Sequence, residues 1–212
     1  GARIGSNCKI FPGAVISAIP QDLKFEGELS TAIIGDNTTL RECVTVNRGT
    51  KFSKTTKIGK NCLLMAYSHV AHDCEIRDNV IIANGVAIAG HVEIEDNAII
   101  GGLSAIQQFS KIGKFSMVSG GSLVRKNVPP FIKVAKEPLS FIGVNSIGLS
   151  RKNYSREKIN EISLMYKVIF QQGNNLSHSL KIIEKNFKNT VEKEEIIKFI
   201  DNSKNGIIKG FY

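Results

Sequence analysis

From Ile58 onward a branched aliphatic residue returns every six positions: Ile58, Leu64, Val70, Ile76, Ile82, Ile88, Ile94, Ile100, Ile106, Ile112, Val118 and Val124. Four residues further along each hexad stands a small or β-branched residue: Cys62, Ser68, Cys74, Val80, Val86, Val92, Ala98, Ser104, Ser110, Ser116, Ser122 and Val128. An α-helix repeats at 3.6 residues and a strand at 2, so neither alone produces a rule of six. A coil with short flat sides does. One aliphatic residue per side points to the axis, one small residue sits near the bend, and the residue between them faces outward. Three sides make a coil of eighteen residues. Coils stacked at roughly 4.8 Å bury together a core that no single coil can bury.

The eighteen-residue period also shows directly. Ile58-Gly59-Lys60-Asn61, Ile76-Arg77-Asp78-Asn79 and Ile94-Glu95-Asp96-Asn97 share one turn chemistry, and Ile4-Gly5-Ser6-Asn7 and Ile34-Gly35-Asp36-Asn37 repeat it upstream. Asn and Asp suit corners with positive φ. The register breaks twice, near 17–31 and near 49–57, and loops that leave a regular scaffold are where binding residues concentrate. Pro129-Pro130 ends the last coil, because proline cannot donate to a ladder. Beyond it the period becomes helical. Ser155, Ser177 and Thr190 read as N-caps, with Gly173 as a C-terminal stop. The expected fold is mainly β: a left-handed parallel β-helix over 1–134, followed by a connector and a small α-helical domain over 135–212.

Cys8, Cys62 and Cys74 occupy the small slot, so they read as packing residues, and the four cysteines form no CxxC pair. They are expected to be reduced, in a cytoplasmic protein. The formal net charge of +9 favours an acidic partner. Lys and Arg are scattered and no nucleic-acid-binding motif is present, so an acidic protein is expected rather than nucleic acid. No stretch approaches the roughly 18 apolar residues of a transmembrane segment, and no secretory leader is visible.

Three of the four histidines, His69, His72 and His91, lie in the repeat and none takes the axial slot. Eighteen residues separate His72 from Gly90, and eighteen more lead to Gln108, so these three stack at one corner, with Asp73 and His91 stacked beside them. An imidazole can take a proton at neutral pH, a neighbouring carboxylate can hold its tautomer, and a glycine N–H can donate to an oxyanion. The spacing alone leaves three readings open: a catalytic base, solvated corner residues, or a zinc site built from His69, His72 and His91.

The runs Gln21-Asp22-Leu23-Lys24, Asn47-Arg48-Gly49-Thr50, His69-Val70-Ala71-His72-Asp73-Cys74, Ala89-Gly90-His91-Val92, Gln108-Phe109 and Asn127-Val128-Pro129-Pro130 resemble the UDP-N-acetylglucosamine O-acyltransferases, which begin lipid A synthesis. The resemblance extends from about Ile10 into the helical tail. It implies a homotrimer with sites between subunits and no cofactor. It also implies transfer of a 3-hydroxyacyl chain from acyl carrier protein, which is acidic, to the 3-hydroxyl of UDP-N-acetylglucosamine. His72 matches the family's general base, Asp73 the acidic residue beside it and Gly90 the backbone oxyanion donor. Gln21, Asp22, Lys24, His69, His91 and Gln108 match positions around the sugar and acyl carbonyl. Asn145 and Arg151 match nucleotide contacts, and Met65 and Gly120 match positions in the acyl-chain groove. Gln107 and Asn47 stand where members carry His, and Ile147 where an acidic residue often stands. The chain starts about three coils later than the family norm, so N-terminal coils are expected to be missing. Two other classes stay in view: a zinc enzyme of the carbonic anhydrase type, and a catalytically impaired trimeric scaffold that binds carrier protein.

Overall fold

The computed structural model describes residues 1–210 apart from 172 and 174. Its first eighteen strands deal themselves in turn onto three sides, each side becoming a parallel sheet with neighbours one coil apart. On the first side Lys57, Glu75, Glu93 and Lys111 stand in register. On the second side it is Leu63, Ile81, Ile99 and Met117, and on the third His69, Ala87, Ala105 and Leu123. The result is the expected left-handed parallel β-helix.

Each strand of the regular coils is only two residues long, an outward residue followed by an axial one, as in Glu93–Ile94. Every axial residue from Ile34 to Val124 is buried. Each such side chain contributes on the order of 2 kcal/mol of transfer free energy. In the first coil Ile4 and Ile10 remain exposed at the open end of the stack.

The chain bends at the fourth position of each hexad from Ile58 to Val118, where φ is positive: Asn61, Tyr67, Asp73, Asn79, Gly85, His91, Asn97, Leu103, Phe109, Phe115 and Gly121. Asn and Gly take this conformation at little cost, whereas Tyr, Leu and Phe do so against a penalty of roughly 1 kcal/mol each. The stacked ladder outweighs that penalty. The cysteine expectation follows the geometry. Cys62 and Cys74 are buried free thiols, pushed by burial up to about 11 and about 12 respectively, and each touches a carbonyl of the next coil.

After Pro129-Pro130 the strand Ile132–Ala135 pairs in parallel with the second side, and Ser140–Val144 turns back antiparallel to it. The sheet therefore continues past residue 134. Four helices follow: α1 (Ser146–Ser150), α2 (Arg156–Gln171), α3 (Leu176–Asn186) and α4 (Val191–Asp201). α2 seats Tyr166 and Phe170 on Phe141, and the Tyr166 hydroxyl donates to the Pro130 carbonyl at 2.6 Å. Ser155 caps α2 through the Lys158 N–H and Thr190 caps α4 through the Lys193 N–H. The cap of α3 is Asn175, not Ser177: its Oδ1 accepts from the His178 N–H at 2.8 Å, which leaves Ser177 inside the helix. Among the described residues no helix is long and apolar enough to cross a membrane.

The inward–outward rule makes a test within one strand. Ile94 is fully buried, and Glu93 beside it is exposed in a surface pair with Lys111. Ile94→Ala is expected to cost about 3 kcal/mol and Glu93→Ala under about 1 kcal/mol, read as urea-unfolding midpoints. Equal effects would contradict the assigned register.

Candidate active site

The ladder brings the histidines together. At the corner between the third and first sides, His72, Gly90 and Gln108 form one column, with Asp73, His91 and Phe109 beside it. The backbone bonds from His91 N–H to His72 O and from Phe109 N–H to Gly90 O fix both columns. His72 Nδ1 lies 2.8 Å from Asp73 Oδ2. The Asp73 side chain has no exposed surface. Burial would raise its carboxyl, but hydrogen bonds from Ser53, His72 and Thr50 outweigh this and hold it at about 2. An ionised carboxylate only accepts, so Nδ1 of His72 carries the proton and Nε2 is left as the basic nitrogen.

Gly90 is required by this packing. A Cβ there would lie 2.6 Å from Cε1 and 2.7 Å from Nε2 of His72. The imidazole therefore rests on the Gly90 Cα, with its basic nitrogen close to the glycine backbone. No acceptor takes the Gly90 N–H among the described residues.

His91 stands edge-on to both His72 and Phe52, with ring centroids 5.0 and 4.7 Å away, and stacks on Phe109 at 4.6 Å. Its Nδ1 is buried without a partner among the described residues. Burial holds His91 below its ordinary value, opposed by the charge of Asp73, while His72 lowers it further and Asp22 raises it. The charge of Asp22, on the first excursion, is thus felt at His91. Its Oδ1 accepts from the Lys24 N–H at 3.0 Å, and Gln21 and Lys24 are exposed on the same loop. His69 faces outward on the third side, its Nδ1 2.7 Å from Thr45 Oγ1, and burial lowers it too.

The remaining expected positions lie elsewhere on the coil stack. Met65 and Gly120 flank the corner between the second and third sides, where Gly120 stacks against the Gly102 carbonyl. Asn145 is buried as the cap of α1. Its Oδ1 accepts from the Gly148 N–H and its Nδ2 donates to the Phe115 carbonyl, at the third corner. Arg151 ends the same helix, exposed. A zinc set of His69, His72 and His91 would need a neighbouring chain; within this one, among the described residues, the ligand atoms that converge within 4.8 Å belong to His72, Asp73 and His91, and both Asp73 oxygens already receive hydrogen bonds. A cleft of about 890 Å³ runs from Phe52, Asp73 and His91 along the charged first side to Lys198 of α4 and Asn202, the cap that follows it.

No role was legible in the sequence for Ser53 or Phe52, nor for Thr50, which closes one of the runs that carry the resemblance. The signal for them was the break in register near 49–57, a Ser/Thr-containing excursion one coil before the histidine corner.

Residues 127–208 match the family described as UDP-N-acetylglucosamine O-acyltransferase, domain 2, and residues 55–90 match the bacterial transferase hexapeptide repeat. An acyl-[acyl-carrier-protein]–UDP-N-acetylglucosamine O-acyltransferase of Aliarcobacter butzleri is 45% identical over 96% of this chain and 78% of its own length. The chain belongs to the UDP-N-acetylglucosamine O-acyltransferase family. The Gloeothece citriformis member is 42% identical over 86% of the chain, which spans 66% of that relative. The crystal structure of the Bacteroides fragilis member superposes with a TM-score of 0.97 at 47% identity, covering 99% of this chain and 82% of that one. These likenesses do not favour the zinc-enzyme alternative.

The buried titratable groups make stability depend on pH. His69 and His91 are lowered from 6.5, so the unfolded chain binds their protons first and stability falls as pH drops below that value. Asp73, lowered from 3.8 to about 2, contributes stability above its unfolded value that is lost as pH falls through the folded one, on the order of 2 kcal/mol. Thermal midpoints should decline in two stages. The first should weaken in His69→Gln/His91→Gln and the second in Asp73→Asn; a profile unchanged by these variants would refute the assignment.

Proposed function

We propose that this chain moves a 3-hydroxyacyl group from acyl carrier protein to the 3-hydroxyl of UDP-N-acetylglucosamine, opening lipid A synthesis, as a cytoplasmic homotrimer that needs no cofactor. The relatives' shared name supports the substrates. The observation that carries the chemistry is the His72–Asp73 pair resting on Gly90. Nε2 of His72 takes the proton of the sugar hydroxyl as its oxygen attacks the thioester carbonyl. The carbonyl oxygen gains negative charge, which the Gly90 N–H stabilises as a backbone donor. Collapse of the intermediate breaks the C–S bond, and His72 returns its proton to the leaving thiolate, so atoms and charge balance. Asp73 keeps the imidazole in the productive tautomer and stabilises its charged form.

His91, with its unpartnered Nδ1, together with His69, Gln108, Gln21, Asp22 and Lys24, lines the sugar and acyl carbonyl in this reading. Met65 and Gly120 serve the acyl chain, and Asn145 and Arg151 serve the nucleotide. The homotrimer has a geometric argument. The three groups sit at three different corners of one coil stack, and corners of a single rigid prism do not converge. Packing of like chains side by side brings unlike corners together. The outward columns suit this: the first side is charged, while the second presents Leu63, Ile81, Ile99 and Met117 and the third Ala87, Ala105 and Leu123. The net charge of +9 suits an acidic carrier.

His72→Ala is expected to lower the transfer rate on the order of 10³-fold while leaving the assembly mass unchanged by light scattering. Wild-type turnover in that variant would sink the mechanism. Gly90→Ala, which pushes the imidazole off its seat, should lower kcat on the order of 100-fold. A near-normal kcat for Gly90→Ala would mean that the ring does not work from where it rests.

A further inference from the structure

A carboxylate with no exposed surface is costly to keep ionised unless donors surround it. Asp73 receives its donors from one short stretch of chain. The Thr50 N–H reaches Oδ1 and Oδ2 at 3.1 and 3.2 Å, and the Thr50 hydroxyl donates to Oδ2 at 2.7 Å. The Ser53 N–H donates to Oδ1 at 3.1 Å, and the Ser53 hydroxyl makes a shorter bond to the same oxygen. That hydroxyl also faces the Thr55 carbonyl at 2.8 Å. It has one proton to give, and the ionised carboxylate is the stronger acceptor. The Asp73 backbone N–H in turn donates to Thr56 Oγ1 at 2.9 Å. The excursion near 49–57 is thus wrapped around a single side chain.

We propose that Thr50 and Ser53 are positioning residues for the acyl transfer: they fill the remaining acceptor sites of Asp73, so that the carboxylate is committed to the Nδ1 proton of His72 and Nε2 is left as the only base. The inference rests on the reaction proposed above and adds residues that do not touch the reacting atoms. The bonds divide between the two oxygens in a way that serves this role. Oδ1 is taken by Ser53, Oδ2 is shared by the Thr50 hydroxyl and the imidazole, and the Thr50 N–H bridges the two oxygens. The carboxylate cannot rotate to present a free oxygen without breaking several charge-assisted bonds at once. The same stretch also sets the second imidazole, because Phe52 stands edge-on to His91 at 4.7 Å. It is tied to the neighbouring excursion by the Lys51 N–H, which donates to Glu28 Oε1 at 2.6 Å. The loop that carries Asp22 and the loop that grips Asp73 are therefore one connected structure beside the dyad.

The test uses Ser53→Ala, Thr50→Val, their double variant and the conservative Ser53→Thr in the full chain. Two readouts are taken: steady-state transfer, and the ¹⁵N shifts of the His72 imidazole, assigned with His72→Gln. Each single loss of a hydroxyl is expected to lower kcat on the order of tenfold, with KM for both substrates within about twofold and thermal midpoints lowered by a few degrees, because each hydroxyl serves a buried carboxylate. The double variant should show His72 as a mixture of tautomers where the wild type shows Nδ1–H alone, and Ser53→Thr should restore kcat. A double variant with an unchanged kcat and a pure Nδ1–H tautomer would overturn the proposal, as would a rise in KM alone. A wild type that holds the tautomer yet transfers no acyl group would overturn the assigned reaction instead, and the ¹⁵N comparison would still decide the role of Thr50 and Ser53.

Discussion

The rest of the molecule depends on the bend at the fourth position of each hexad. There the backbone enters the left-handed region and turns the chain from one flat side to the next. Because the bend recurs every six residues, positions eighteen apart are stacked and joined by parallel ladders. The axial aliphatic column makes this arrangement favourable, since each buried side chain contributes more than a strained corner costs. Where the corner residue is Asn or Gly the strain is small. Where it is Asp73 or His91, the scaffold holds a polar side chain in a fixed direction at the edge of the prism, and the site is made there.

Burial and hydrogen bonding then act in opposite senses on the two kinds of group at that edge. Asp73 is buried but surrounded by donors, so it stays an anion. His69 and His91 are half-buried, and the loss of hydration is the largest influence on each, so both are held below their ordinary value. An anion fixed next to one imidazole, with imidazoles around it that disfavour a proton, suits proton transfer to and from a single nitrogen. The glycine beneath that nitrogen completes the arrangement, because any larger residue would occupy the space the ring now takes.

Much of this was legible in the chain. The rule of six is visible from Ile58 to Val124, and counting eighteens placed His72, Gly90 and Gln108 in one column and Asp73 beside His91. Local caps were legible where the capping residue stands directly before the apolar run, as at Ser155 and Thr190. At α3 two residues competed, and Asn175 prevailed because its carboxamide reaches the third N–H of the helix. Asn145 reads as a nucleotide contact from resemblance, and its carboxamide also caps α1 and donates to the Phe115 carbonyl; spacing carries no information about such local bonds.

The sequence by itself determined the scaffold, because a strict period in side-chain size and polarity admits few backbones, and it determined which residues share a corner, because register follows from the period. Only the tertiary structure decided what surrounds Asp73. Thr50 and Ser53 lie in a stretch with no period, and they reach the carboxylate across a full coil by a path that no count predicts. The tertiary structure also decided that the helix-cap residue Asn145 lies at the third corner, where its carboxamide meets the Phe115 carbonyl. Which corner a residue reaches depends on where the excursions and the final prolines displace the count, and those are settled by packing rather than by repeat.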